Sequence, residues 1–251
     1  MIKLYKGDCL EVMQDIPDGS IDAIITDPPY GTTACKWDSV IPFEPMWEQL
    51  HRIIKPNGAI VLFGGEPFSS ALRMSNIKNY RYDLIWNKIR GATGLNAKNM
   101  PIKTHENISL FYKKQPTYNP QMTLGCPHDK TKYNGIKHNA NVTGGGVAIR
   151  KKNNGTRYPI SIAKFSQNWS RQQQLHPTQK PVALMEYLIK TYTNEGEVVL
   201  DFTMGSGSTG VACVNTKRSF IGIEQDDKYY AIAQDRIDNA QRQSLIDFPT
   251  Q

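Results

Sequence analysis

Short apolar stretches rich in β-branched residues alternate with amphipathic segments along most of this chain, and that alternation restricts the fold more than any other feature. Ile2–Tyr5, Ile21–Thr26, Ala59–Phe63, Tyr82–Asn87, Ile108–Tyr112, Glu197–Asp201 and Ser219–Glu224 read as strands. Helices are predicted around Leu10–Ile16, Phe43–Ile54, Pro67–Asn76, Pro181–Thr193 and Thr209–Thr216. A last helix, capped by Asp226 or Asp227, runs to about Gln243. The second helix closes on Lys55-Pro56-Asn57-Gly58, with Pro and Gly just past the stop. Strands alternating with helices predict an α/β fold, a mostly parallel sheet covered on both faces. The 251 residues are enough for one large α/β domain, or for one domain with a sizeable insertion.

The strand Ile21–Thr26 stops abruptly at Asp27-Pro28-Pro29-Tyr30. Prolines have no N–H for the ladder, and Asp before Pro favours an extended or turn geometry, so the tetrapeptide has a purely structural reading as a strand stop. A second strand end carries more. Asp201 is followed by Phe202-Thr203-Met204-Gly205-Ser206-Gly207-Ser208-Thr209-Gly210, a glycine turn that opens a helix. Gly205, Gly207 and Gly210 satisfy GxGxxG, and Glu224 ends the next strand 19 residues past Gly205. No Lys follows the last glycine, so this is not a GxxxxGK[ST] phosphate loop. Asp201 would repel a pyrophosphate, and little chain remains for a second mononucleotide half, which weighs against NAD. S-adenosylmethionine uses the same kind of crevice, and its sulfonium and ammonium groups tolerate carboxylates. The loop alone leaves both cofactors open.

Net charge is +7, but its distribution matters more than its size. From Lys113 to Arg171 there are 11 Lys or Arg and one acid, Asp129, a net of +10; the rest of the chain carries 19 basic and 22 acidic residues. Tyr118, Tyr133, Tyr158, Phe165 and Trp169 are interleaved with Asn, Gln and Gly in this window. Cations mixed with aromatics and amides suit contact with the phosphates and bases of a nucleic acid, whereas a bare charge run is usually a solvated loop. Candidate phosphate contacts are Lys88, Arg90, Lys113, Lys114, Lys132, Lys137, Arg150, Lys151, Lys152 and Arg157.

Other classes are disfavoured. No run approaches the length of a membrane span, and Met1-Ile2-Lys3-Leu4 leads directly into a strand rather than a signal peptide. Cys9, Cys35, Cys126 and Cys213 are scattered without a CxxC pair, which fits reduced thiols in the cytoplasm. Cys126, His128 and His138 lack a nearby fourth ligand, so no metal is expected.

The order of "TDPPY", a basic insertion, "HPTQKP" (His176–Pro181) and "DFTMGSGSTG" resembles the β group of amino-DNA methyltransferases, which methylate adenine N6 or cytosine N4. "KGDCLEVM" (Lys6–Met13), "KPNG", "FGGEPF", "IWNK" and "HENISLFYKK" (His105–Lys114) extend the match over nearly the whole chain. The resemblance implies a Rossmann-like S-adenosylmethionine-dependent fold with a seven-stranded, mostly parallel sheet. It also implies a catalytic and cofactor domain of residues 1–112 and 172–251, with 113–171 as a target-recognition insertion. Double-stranded DNA would be the partner, restriction-modification the setting, a prokaryotic or virus-infected cell the location, and homodimers are frequent in the family.

The resemblance also assigns roles. Asp27 and the Pro28 carbonyl would accept the two N–H groups of an exocyclic amine, localising its lone pair for attack, with Pro29 holding the turn rigid. Tyr30 would stack on a base swung out of the duplex. Phe202, Gly205 and Gly207, with Asp27, Asp201, Ser206 and Thr209 nearby, would line the cofactor. Glu224 would hold its ribose hydroxyls, and Asp8 and Cys9 would flank its adenine. Thr178 and Lys180 would meet its methionine end. Each has a plainer alternative: Asp8 as an N-cap, Cys9 as a small buried hydrophobe, Lys180 as a solvated lysine. Trp37 can pack over the base or merely anchor a loop. The family's commonest loop has a proline and a glycine near the phenylalanine, where this chain has Thr203 and Met204. A leading Asp goes mostly with adenine and a leading Ser mostly with cytosine, so Asp27 favours adenine N6 over cytosine N4. RNA methylation, an NAD-dependent oxidoreductase and a non-catalytic nucleic-acid-binding module are the competing readings.

Overall fold

The computed structural model describes residues 1–32, 38–91, 97–129, 131, 152–167, 175 and 178–247. Along the described chain the elements are β1 (Ile2–Lys6), α1 (Cys9–Val12) with a 3-10 turn (Met13–Asp15), β2 (Ile21–Thr26), α2 (Phe43–Ile53) and β3 (Ile54–Gly64). Then come α3 (Phe68–Ser75), β4 (Tyr80–Asn87), β5 (His105–Phe111), β6 (Thr123–Leu124), β7 (Thr156–Arg157) and β8 (Ile162–Lys164). The chain continues with α4 (Val182–Tyr192), β9 (Val198–Asp201), α5 (Ser208–Asn215), β10 (Ser219–Glu224) and α6 (Asp227–Asp247). None of these helices is long and apolar enough to cross a membrane.

Two compact units are present. Met1–Asn119 together with Ser161–Gln251 is the first, and Pro120–Ile160, which falls inside the basic window, is the second. The first unit holds an eight-stranded sheet in the order β1-β10-β9-β2-β3-β5-β4-β8. From β1 to β3 all neighbours are parallel; β5 runs antiparallel to both β3 and β4. The strand beyond the expected seven is β8, three residues pairing with the edge of β4 from Ile85↔Ile162 to Asn87↔Lys164. It is too short to show an alternating pattern. In the second unit β6 and β7 form a short antiparallel ladder.

Alternation along the central strands sends side chains to two cores. Ala59, Val61 and Phe63 of β3 join Leu184, Leu188 and Ile189 of α4 and Ala233 and Ile237 of α6 on one face. Ile60 and Leu62 join Met46, Leu50 and Ile53 of α2 and Phe68 and Leu72 of α3 on the other. A sheet with both faces covered explains why β2 reads as a continuous apolar run.

The Lys55–Gly58 stretch behaves differently from a simple helix stop. α2 ends at Ile53, but β3 has already begun at Ile54, and the register jumps from Ile21↔Ile54 to Ala23↔Ala59. The intervening residues bulge out of the ladder. A Cβ on Gly58 would lie 2.8 Å from the Asp22 carbonyl oxygen, so only glycine fits there.

Because β1, β10, β9, β2 and β3 are parallel, their C-terminal ends open on one edge of the sheet. β2 from the first half of the chain lies beside β9 from the second half. That junction is the switch point at which α/β sheets place ligands.

Candidate active site

Asp27 is the first residue past β2, and its position is fixed from three sides. Thr203 Oγ1 donates to its carbonyl oxygen at 3.0 Å. The Tyr30 hydroxyl donates to Oδ1, and the Lys180 ammonium to Oδ2. Tyr30 itself stacks on Phe68, with centroids 5.1 Å apart and planes 26° from parallel. The turn beyond is held by Asp38, whose carboxylate accepts from the backbone N–H groups of Tyr30 (2.7 Å), Gly31 (2.9 Å) and Thr32 (2.9 Å). Burial raises the Asp27 carboxyl above the usual carboxylate range, opposed by the nearby Lys180 charge. Burial, with Asp27 and Glu106 alongside, also raises the Tyr30 hydroxyl, which stays protonated and donates.

Lys180 is only 6% exposed and lies between two carboxylates: besides Asp27, its Nζ stands 3.4 Å from Glu106 Oε2. Burial disfavours its charge, but Asp27 and Glu106 outweigh that and hold it protonated. Glu106 pairs in turn with Lys88, whose Nζ lies 5.0 Å from the Trp86 ring. Burial works against the Glu106 charge as well, and the two lysines reverse it, leaving its carboxyl below the usual range. The cluster is neutral overall.

A cavity of about 460 Å³ opens over this edge. Asp8, Cys9, Asp27, Pro28, Pro29, Tyr30, Thr178, Lys180, Asp201, Phe202, Gly205, Ser206, Thr209 and Glu224 all line it. Asp8 caps α1, accepting from Leu10 N–H at 2.8 Å, so its capping role and a place in the cavity coexist. Burial, reinforced by Asp8, pushes the Cys9 thiol up to about 12, which leaves it no use as a nucleophile. Glu224 accepts from Gly205 N–H and Asp226 N–H, both at 2.9 Å, tying the glycine loop to the end of β10. Asp201 commits both oxygens to protein donors. Oδ1 takes Thr26 Oγ1 (3.0 Å) and Thr203 N–H (3.2 Å), and Oδ2 takes Thr209 Oγ1 (2.5 Å). Its role in the geometry is to join β2, β9 and α5.

Gly207 is the one expected cofactor residue that does not line the cavity. Its φ is +77°, and a Cβ there would sit 2.9 Å from that of Ala233 on α6. Glycine is required there by the turn and the helix packing. The cavity's charge also discriminates between ligands. Among the described residues, five acidic side chains line it against one ammonium, that of Lys180, which is already paired. A pyrophosphate would meet net negative charge, whereas a ligand bearing sulfonium and ammonium groups is matched. The residues present fit S-adenosylmethionine.

The basic candidates divide. Lys88 is committed to Glu106, with its side chain 12% exposed, so the expectation of a phosphate contact does not suit its placement. Arg157 is likewise occupied inside the second unit, donating to the Cys126 carbonyl and Asn153 Oδ1 and lying 3.0 Å from His128 Nδ1. Lys113 and Lys114 are exposed but follow β5, which runs away from the cavity edge: Asn107 pairs with Gly64 and Phe111 with Ile60. Lys113 borders a hollow with His51, Ile54 and Gly58 at the opposite edge. Arg90, just beyond β4, and Lys152 are exposed. Lys132, Lys137, Arg150 and Lys151, with Trp37, Cys35, His138, His176 and Pro177, lie outside the described residues.

A family model described as DNA methylase, N6_N4_Mtase, matches residues 21–235. The chain belongs to that family. The methyltransferase is 29% identical to Type II methyltransferase M.HpaI of Haemophilus parainfluenzae, over 94% of this chain and 74% of that protein. It is 28% identical to Type II methyltransferase M2.MboI of Moraxella bovis, over 93% and 86% respectively. Among solved structures, the M1.HpyAVI–SAM complex is similar with a TM-score of 0.65 and 25% identity, covering 94% of this chain and 99% of that one. The cytosine-N4-specific PvuII DNA methyltransferase gives a TM-score of 0.67 at 17% identity over 98% and 93%, a likeness of fold alone. S-adenosylmethionine is the methyltransferase's cofactor and DNA its substrate.

Two residues of this site carry no role in the sequence reading. Asp38 stands beside Trp37 in "KWD", and Glu106 is the second residue of "HENISLFYKK". Asp38 acquires its function from the turn six to eight residues before it and Glu106 from two lysines, and neither spacing nor composition marks them.

Proposed function

We propose that the methyltransferase transfers a methyl group to the N6 amino group of adenine in double-stranded DNA, with Asp27 and the Pro28 carbonyl as the acceptors that orient the amine. The observation that carries this reading is a carboxylate, Asp27, held at the cavity edge of the sheet with a tyrosine hydroxyl and an ammonium on its two oxygens. In this family a leading Asp goes mostly with adenine and a leading Ser with cytosine. An exocyclic amine is a poor nucleophile because its lone pair is delocalised into the ring. Two acceptors opposite its two N–H groups favour the tetrahedral geometry in which that pair is free to attack.

S-adenosylmethionine supplies a cationic, electrophilic methyl group. Glu224 would hold the ribose hydroxyls, Asp8 and Cys9 would flank the adenine, Phe202 would line the cofactor, and Thr178 and Lys180 would meet the methionine end; all of them line the cavity. Tyr30, backed by Phe68, offers a fixed flat ring to a base extruded from the duplex. The amine must lose one proton as its new bond to carbon forms, and Asp27, with its carboxyl raised by burial, is the acceptor at hand. Orientation and electrostatics supply the rate, without a covalent intermediate. Pro120–Ile160 supplies target recognition in this reading, with exposed Lys152 among its phosphate contacts.

The test is methyl transfer from labelled S-adenosylmethionine to unmethylated double-stranded DNA, followed by digestion and identification of the labelled nucleoside. N6-methyladenine is expected. N4-methylcytosine would overturn the base assignment while keeping the scaffold's chemistry, and label in RNA alone would overturn the substrate.

A further inference from the structure

From behind the cavity to its wall, four side chains alternate in sign: Lys88, Glu106, Lys180 and Asp27. Lys180 serves its two carboxylates unequally. Its ammonium is hydrogen-bonded to Asp27 Oδ2 but stands 3.4 Å from Glu106 Oε2. Among the described residues, that Oε2 is buried without a hydrogen bond of good geometry, its nearest cation being Lys180 itself, although Lys88 takes the other oxygen of the same carboxylate. A buried carboxylate oxygen without a donor is rare and unfavourable. A shift of the ammonium by roughly half an ångström would bring it to ordinary charge-assisted hydrogen-bond length. The Phe63 and Trp86 rings, 5.2 and 6.0 Å from Nζ, favour a cation here whichever carboxylate it serves.

Asp27 meets the opposite difficulty. With Tyr30 on Oδ1 and Lys180 on Oδ2, both its oxygens are engaged before any amine arrives. We infer that Glu106 is the alternative counter-ion of Lys180: as the target amine docks, the ammonium passes from Asp27 Oδ2 to Glu106 Oε2 and frees Asp27 to accept. Glu106 is a positioning residue, since it touches no substrate and acts through Lys180. The exchange makes and breaks no covalent bond and leaves the cluster neutral. After methyl transfer, once Asp27 has passed the amine's proton to solvent and is ionised again, return of the ammonium would compete the product amine away from it. This inference rests on the reading of Asp27 as the acceptor for the target amine.

Glu106→Gln alone would leave a buried positive charge uncompensated, so it is paired with the charge-balanced double variant Glu106→Gln/Lys88→Met. In the double variant, cooperative melting and affinity for S-adenosylmethionine should match the parent, while kcat falls roughly tenfold or more with KM little changed. The acid limb of kcat against pH should also move to lower pH. Without Glu106 the ammonium stays on Asp27 and favours its ionised form, so a lower pH is needed to protonate it. Tyr30, Lys180 and Asp201 face Asp27, with Glu106, Lys88 and Asp38 behind them, and only Glu106 and Lys88 differ in the variant. Glu106→Asp, which restores the carboxylate, should recover part of the turnover. Normal turnover in the double variant would overturn the inference, as would reduced turnover with an unmoved acid limb. Asp27→Asn, assayed in parallel, separates the two readings. If it retains turnover, the reading of Asp27 fails and the inference with it; if it is inactive while the double variant is normal, only the inference fails.

Discussion

Asp201 accepts three hydrogen bonds, one of them from Thr26 across the junction between the two halves of the sheet, and its burial works against its charge. Burial pushes its carboxyl up to about 7, against the pull of Thr209 and Thr26. An unfolded chain holds the same carboxyl near 3.9, so between about pH 4 and 7 the folded state binds a proton that the unfolded state releases. The stability this contributes is full below about pH 4, declines as pH rises, and is lost above about pH 7. Asp201→Asn, neutral throughout and nearly isosteric, should therefore gain on the parent by up to about 4 kcal/mol between pH 4 and pH 8. Urea unfolding of both proteins across that range measures the difference; a constant gap would show that Asp201 titrates as an ordinary carboxylate. At this scale the residues legible in the sequence were those beside a local oddity: Asp27 before two prolines, Asp201 before a glycine turn, Glu224 one strand later. Asp38 and Glu106 stand beside nothing unusual. Asp38 takes three backbone N–H groups of the turn just before it, which no pattern of residue types announces, and the two lysines of Glu106 are brought together by the fold. Lys88 was visible as a cation, but a sequence does not say which cations are buried against an acid.

The glycine turn from Gly205 to Gly210 was legible as an element, and only part of its purpose was. Its glycines suggest backbone drawn close to a cofactor, and Gly205 does line the cavity. Gly210 has a different neighbour. A Cβ on it would fall 2.3 Å from Ile237 Cδ1 and 2.8 Å from Phe220 Cε1, so its missing side chain lets α5 settle against α6 and β10. Ile237 is flexible at its tip, but the Phe220 ring is fully buried and cannot retreat. Gly210→Ala should destabilise the protein by about 1–3 kcal/mol through overpacking, while the folded fraction binds S-adenosylmethionine as before. Thermal melting with a parallel cofactor titration separates the two effects, and weakened affinity at unchanged stability would show that Gly210 serves the cofactor site instead. Periodicity recovered the long elements because their apolar faces are buried on the sheet. It missed β8, which has three residues, and the early start of β3, where a bulge hides Lys55–Gly58 from any regular pattern.

At the scale of the whole molecule, parallel strands gather the carboxylates Asp27, Asp201 and Glu224 at one edge, and the same directional logic sorts the cations. Composition showed an excess of positive charge from Lys113 to Arg171, but a charge count carries no direction. β5 reverses relative to β3 and delivers Lys113 and Lys114 to the edge away from the cavity. β4 and β8 end on the cavity edge, where exposed Arg90 and Lys164 follow or close them. In the proposed reading, DNA that presents a base to Asp27 lies along the cavity edge, and of these two pairs the second is the one on that edge. Charge reversal at Arg90 and Lys164 should make the dependence of log affinity on log salt shallower by about two, roughly one for each phosphate left without its cation. Charge reversal at Lys113 and Lys114 changes net charge by the same amount and should leave that slope unaltered. The two variants are compared by DNA titration over a series of salt concentrations. An equally shallow slope in both would mean that the duplex reaches around the sheet to its far edge, or that net charge alone governs binding. A change confined to Arg90 and Lys164 would fix the DNA on the side where the parallel strands end.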